Sequence, residues 1–113
     1  MNLTVATDRP DLLVLAFEGR LDIKGASMIE IQLAARVNAA KRGTVFDFSK
    51  VDFMASMGMQ LLVASHRSLS VAGKRLVLLS PQPDVETALR LSRLDTVIAI
   101  VHDAKEAERL AAG

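Results

Sequence analysis

No cysteine, tryptophan or tyrosine occurs among these 113 residues, proline appears three times, and the six glycines stand apart from one another. Without cysteine there is neither a disulfide framework nor a thiolate metal site. Without tyrosine or tryptophan, the side chains on which nucleic-acid bases most often stack are missing. The 14 Lys and Arg are matched by 13 Asp and Glu and are scattered rather than gathered into a basic stripe, so no nucleic-acid partner is expected. Isolated glycines leave neither a G-x-G-x-x-G nor a GK[ST] loop to cradle phosphates. His66 and His102 have no flanking ligand set. No metal and no cofactor are therefore expected.

Long apolar runs are absent as well. Half of the residues are hydrophobic, yet the longest runs, such as Leu12 to Phe17, reach roughly a third of a membrane-spanning helix. Membrane insertion is not expected. The opening MNLTVATDRP has neither a basic leader nor a small-residue cleavage site, which predicts a cytoplasmic protein. The length suits one domain over residues 1–113 with its own core.

What is present is an alternation of short apolar runs with longer amphipathic ones. Asn2 to Thr7 and Leu12 to Glu18, separated by Asp8-Arg9-Pro10, read as two antiparallel strands. Ala26, Ile29, Leu33, Val37 and Ala40 then recur at helical spacing up to Lys41-Arg42-Gly43. Thr44 to Phe48 reads as a strand, and a helix from about Ser56 to Ala72 stops at Gly73. Arg75 to Leu79 is a further strand, and Pro83 opens a helix with Val85, Leu89 and Ser92 on one face. Thr96 to Val101 is the last strand, before a short helix introduced by the capping box Asp103 to Glu106. Continuous apolar strands between helical patterns predict parallel strands with crossover helices. The expectation is an α/β domain with a mixed four- to five-stranded sheet and about four helices, beginning near Ala26, Ser56, Asp84 and Ala104. Val45 to Phe48 should be an interior strand.

The segment DFMASMGMQLL places Ser56 where strand formers give way to helix formers. A serine there can cap the helix, attack a substrate or be modified by another protein. The nucleophile reading is the weakest, because Met54 occupies the first glycine position of a G-x-S-x-G elbow and neither histidine is placed beside Ser56. Taking 100° per residue, Gly58, Leu61, Leu62, Ser65, Leu69 and Ala72 form the buried stripe. Ser56, Gln60, Val63 and Arg67 face away from it, with Met59 at the edge. Met57, Met59 and Val63 thus surround the serine, either as a methionine-rich recognition surface or packed against a neighbouring loop. On the first helix Met28, Ile31 and Ala35 form a second apolar strip, which can meet a partner, a second copy of the protein or the other helices of its own domain; layering of helices on one side of a sheet favours the last.

Four segments together resemble the STAS domain of bacterial anti-sigma factor antagonists: EGRLDIKGA at Glu18 to Ala26, VFDFSKVDFMASMG at Val45 to Gly58, GKRLVLLSP at Gly73 to Pro81, and LRLSRLDTVIAI at Leu89 to Ile100. The resemblance covers nearly the whole chain. It implies a STAS-like fold and a binding module rather than an enzyme. Ser56 falls on the serine that a partner kinase phosphorylates in a pattern close to D-S-S/T-G, and Gly58 on its glycine. Ala55 stands where the family usually has Asp, and Met57 where it has a second Ser or Thr. The implied partner is an anti-sigma factor serine kinase with a histidine-kinase-like ATPase fold. It is bound by the unphosphorylated form and released on phosphorylation, and a serine phosphatase is implied beside it. The chain is expected to act as a monomer or weak dimer. The implied surface joins Asp22, Ile23 and Lys24 to Ala55, Ser56, Met57 and Gly58, and helical phase adds Met59, Gln60 and Val63. Asp22 has a second reading as the cap of the first helix. A second role within the family is a STAS scaffold subunit of a transporter-associated or stress-signalling complex, with Ser56 never modified.

Overall fold

The first two strands pair because their apolar residues alternate along one face and Pro10-Asp11 turns the chain between them. Strand β1 (Asn2–Arg9) lies antiparallel to β2 (Leu12–Leu21), with Leu3 opposite Phe17 and Arg9 opposite Leu12. The structure, a computed structural model, describes residues 1–113 with the exception of the side chain of Ala40. Next come helix α1 (Ile23–Ala40), β3 (Gly43–Met54), α2 (Ser56–Val71), β4 (Leu76–Leu79) and α3 (Pro83–Leu91). A 3-10 turn (Leu94–Thr96), β5 (Ala99–Val101) and α4 (Ala104–Ala112) follow. The sheet order is β1-β2-β3-β4-β5, and every pair after the first is parallel. This is the mixed α/β sheet that the apolar runs predict, with five strands and four helices. Val45 to Phe48 lies inside β3, paired on both sides.

Each parallel strand is added on the same side of the last, so crossovers of one hand place α1, α2 and α3 on one face. That face holds the larger core: Leu13, Leu15 and Phe17 of β2, Phe46 and Phe48 of β3, and Leu78 of β4 lie under Ile29, Leu33, Leu62, Leu69 and Leu89 of the helices. Three of the four phenylalanines meet there, Phe17 lying 4.9 Å from Phe46 and 5.0 Å from Phe48 between ring centroids. The opposite face carries the alternate residues Leu12, Val45 and Val77, covered by Ala107 and Ala111 of α4. Asp103 caps α4 as its spacing predicts, accepting the Glu106 N–H at 3.3 Å.

Four expectations are corrected. Helix α1 begins at Ile23 rather than near Ala26, because Asp22 caps it and draws Asp22 to Gly25 out of the predicted loop into the first turn. The segment Thr96 to Val101 is a strand only over Ala99–Val101. Leu94 and Ile98 are both buried and four residues apart, and the N–H groups of Val97 and Ile98 both return to the Leu94 carbonyl, so this stretch follows a helical period. Ala72 ends α2 as its exposed C-cap instead of joining the buried stripe. Met28 and Ile31 are 61% and 85% exposed and Ala35 is exposed too, so the second strip of α1 meets no other helix. Helix α2 packs along the flank of α1, through Leu33 and Val37 facing Leu61 and Ser65 across a groove, and leaves the far side of α1 bare. Ala40, placed in the α1 core stripe by its spacing, has its side chain outside the described residues.

Candidate functional site

The site forms where β2 and β3 end side by side. Leu21 pairs with Met54, and the Ala55 N–H donates to the Leu21 carbonyl at 3.0 Å. The residues that follow, Asp22 and Ser56, therefore open α1 and α2 next to one another.

The two helix starts differ electrostatically. At α1, Asp22 Oδ1 accepts the Gly25 N–H at 2.8 Å, and Asp22 Oδ2 lies 3.5 Å from Arg20 Nε. The Gly25 N–H first, and Arg20 after it, hold the Asp22 carboxyl below its ordinary value. At α2 the N-cap is Ala55, which has no side-chain acceptor, and the first turn contains no acidic residue. No side chain of the α2 cap or first turn thus offsets the partial positive charge of its N-terminus. Ser56 is the first residue inside this helix and is exposed. The reading of Ser56 as the cap is corrected accordingly: Ala55 holds that position, and the serine is displaced one residue inward.

Gly58 brings α2 close to the strand ends. A Cβ on Gly58 would lie 2.7 Å from Leu21 Cγ and 2.9 Å from Met54 Cγ, so hydrogen alone fits. Around Ser56, Ala55 is half-buried and Gln60 exposed. Met57, Met59 and Val63 are half-buried and pack against the main core, so each gives one side to the fold and one to the surface. Ile23 and Lys24 are both exposed, Ile23 to 68%. The structure thus brings Asp22, Ile23 and Lys24 into the neighbourhood of Ala55 to Met59, while Gln60 and Val63 continue one face of α2.

Two residues of this surface escaped the sequence reading. Phe53, the one phenylalanine outside the core, is 39% exposed, and the Arg20 guanidinium carbon lies 4.3 Å above its ring centroid. They are partners across β2 and β3, after two register shifts that no alternation pattern reveals. Neither histidine is brought to Ser56. His102 Nε2 lies 2.7 Å from Glu86 Oε1, and Glu86 also takes Arg90 at 2.5 Å. Arg90 first, then His102, hold the Glu86 carboxyl down. His66 lies ten residues along α2 from Ser56, about 15 Å by helical rise. Among the described residues no group of three His, Cys, Asp or Glu could hold a metal ion, and no helix is long and apolar enough to cross a membrane.

Asp22→Ala should lower the melting temperature by roughly 2–6 °C at neutral pH. The sign of the pH dependence follows from the depressed carboxyl: its stabilisation is present above the unfolded value of about 3.9 and is lost as pH falls through the lower folded value. Melting curves of wild type and variant should therefore converge in acid. Curves that already coincide at pH 7 would show that this cap contributes nothing.

Fold and site together define a small α/β domain that presents a serine at the start of a helix. The sequence profile of the STAS domain matches residues 4–107, and the chain belongs to that family. The chain is 25% identical over 108 residues to BtrV of Bordetella bronchiseptica, named for anti-sigma factor antagonism, covering 95% of this chain and 91% of that one. An anti-sigma factor antagonist structure from Mycobacterium paratuberculosis superposes with a TM-score of 0.86 at 22% identity, over 99% of this chain and 94% of that one. The anti-sigma factor antagonist SpoIIAA in its unphosphorylated form superposes with a TM-score of 0.79 at 20% identity, over 96% and 95%. SpoIIAA has also been solved in a phosphorylated form.

Proposed function

We propose that this chain is an anti-sigma factor antagonist, a binding module whose unphosphorylated form engages an anti-sigma factor serine kinase of the histidine-kinase-like ATPase fold and so frees a sigma factor. The kinase phosphorylates Ser56 and releases the chain, and a serine phosphatase restores it. Such a relay operates in the cytoplasm. The observation that carries the reading is Ser56 itself: an exposed hydroxyl on the first residue of a helix whose first turn has no carboxylate, followed along that helix by half-buried Met57, Met59 and Val63. A kinase can reach that hydroxyl, the helix end favours a dianion in the free chain, and the neighbouring methionines disfavour the same dianion under a bound partner. Asp22, Ile23 and Lys24 complete the partner surface, and Ala55 and Gly58 shape the turn that presents it.

Intact-mass analysis after incubation with ATP and the cognate kinase tests this. One phosphate is expected on wild type and none on Ser56→Ala, which should still bind. A kinase that binds wild type without modifying it would transfer the protein to the second reading, a scaffold subunit of a transporter-associated or stress-signalling assembly. The bare strip of Met28, Ile31 and Ala35 on α1 favours that reading, since it offers a second face to an assembly.

A further inference from the structure

Helix α2 carries a line of side chains away from Ser56. At 100° per residue, Gln60, Val63 and Arg67 fall within about 40° of Ser56 around the helix. Beside this line runs a groove of about 420 Å³ between α2 and the segment that follows α3. Met59, Val63 and Leu94 are buried or half-buried and form its floor, while Gln60, Ala64 and Arg67 are exposed and form its rim. Among the described residues no carboxylate lines the groove, and Arg67 has no carboxylate within 4 Å.

We infer that this groove seats an apolar, acid-bearing segment of the anti-sigma kinase, with Arg67 pairing its carboxylate, an assignment that rests on the reading of Ser56 given above. Continuity is the first reason: a partner covering Ser56 and Gln60 lies over the groove's near end, because those side chains belong to one helical line. Size is the second. A stable interface takes about 800 Å² and 20–30 residues from each partner, more than the ten residues of the surface around Ser56 provide. The groove already contains Met59, Gln60 and Val63 of that surface and extends it to Ala64, Arg67, Ser92 and Leu94. Charge is the third reason, because an apolar floor beside a lone cation complements a segment that carries a carboxylate next to large apolar side chains. A small molecule suits the groove less well, since ligand sites enclose most of their ligand, whereas a groove open along its length is the form in which chain segments are bound.

The test measures affinity for the purified serine kinase that phosphorylates the wild-type chain, chosen by screening each histidine-kinase-like serine kinase of the source genome. Arg67→Glu should weaken binding by about 10-fold or more at low ionic strength, because it sets like charges against each other. The loss should shrink in high salt. Arg67→Lys should stay within about threefold of wild type, and Gln60→Glu should weaken binding in the same sense. Lys105→Glu on α4, across the sheet, makes the same change in net charge and should bind as wild type does. Ser56 and Arg67 are about 16 Å apart along α2, so the fold losses of Ser56→Asp and Arg67→Glu should multiply in the double variant. Wild-type affinity in both Arg67→Glu and Gln60→Glu overturns the inference and leaves the role of Ser56 standing. Sedimentation that shows a wild-type dimer dissolved by Arg67→Glu, with kinase affinity unchanged, assigns the groove to a second copy of this chain and also overturns it. If no such kinase binds wild type, the function proposed for Ser56 fails, and the kinase segment with it.

Discussion

Phosphorylation of Ser56 is expected to lower affinity for the proposed kinase by roughly 100-fold or more, while the free phosphorylated chain should melt no earlier than the unmodified one. The two effects have opposite signs because the same charge meets two environments. In the free chain a phosphate of about −1.5 to −2 charges stands in water at the α2 N-terminus, which contains no acidic residue in its first turn. An anion there stabilises a helix by about 0.3–1 kcal/mol. Under the proposed partner it would be enclosed beside Met57 and Met59, where an uncompensated buried charge costs about 3–5 kcal/mol. Since about 1.4 kcal/mol is a factor of ten, binding should fall by two orders of magnitude or more. Ser56→Asp should shift both quantities the same way by less, with weaker binding and a melting temperature equal to wild type or higher by roughly 1–4 °C. Calorimetric titration and thermal melting on the same samples check it. A variant that binds poorly and also melts early would show that damage to the fold, rather than charge, explains the loss.

Gly25→Ala is expected to be the most damaging of the small changes at the site. A Cβ on Gly25 would lie 2.0 Å from the Arg20 carbonyl oxygen, a backbone atom that cannot turn aside, and 3.3 Å from Asp22 Oδ1. Helix α1 would have to lift from β2 and surrender the Asp22 cap. Overpacking of this kind costs about 1–3 kcal/mol or more, or roughly 10 °C of melting temperature for a domain of this size. Gly73→Ala is the control. Gly73 has φ of +73° but nothing within 4 Å of its Cβ position, so only left-handed strain of about 1–2 kcal/mol is added. Equal melting of the two variants would mean that backbone contact between α1 and β2 contributes nothing at Gly25. Because Asp22, Ile23 and Lys24 sit on the same turn, Gly25→Ala should also impair partner binding, whereas Gly73→Ala should not.

Periodicity disclosed direction far better than company. The α2 stripe of Gly58, Leu61, Leu62, Ser65 and Leu69 is buried as its spacing predicts, because phase depends only on the residues of one helix. Whether Met57, Met59 and Val63 are free or packed depends on what lies beside that helix, and they turn out to be shared between core and surface. The exposed strip of α1 is hidden from sequence for the same reason, since Met28 and Ile31 look alike whether or not a neighbour reaches them. Asp22 was legible as a cap candidate, but the pairing of Arg20 with Phe53 was not, because it depends on two register shifts between β2 and β3. The site's position at adjoining strand ends needed both chain order and register, and sequence supplied only the first.

The order β1-β2-β3-β4-β5 bears on how the chain is made as well as on how it works. Every strand finds its neighbour in the strand synthesised just before it, so the sheet can grow by accretion as a ribosome delivers it, with short loops to close at each step. The face under α1 to α3 is roofed as it grows. The other face is not: Leu12, Val45 and Val77 belong to three different strands, and their cover, Ala107 and Ala111, comes only after all five strands have formed. A nascent chain paused before α4 thus carries a complete sheet with one greasy side open, and the docking of α4 is the latch that closes an adhesive intermediate into the finished domain.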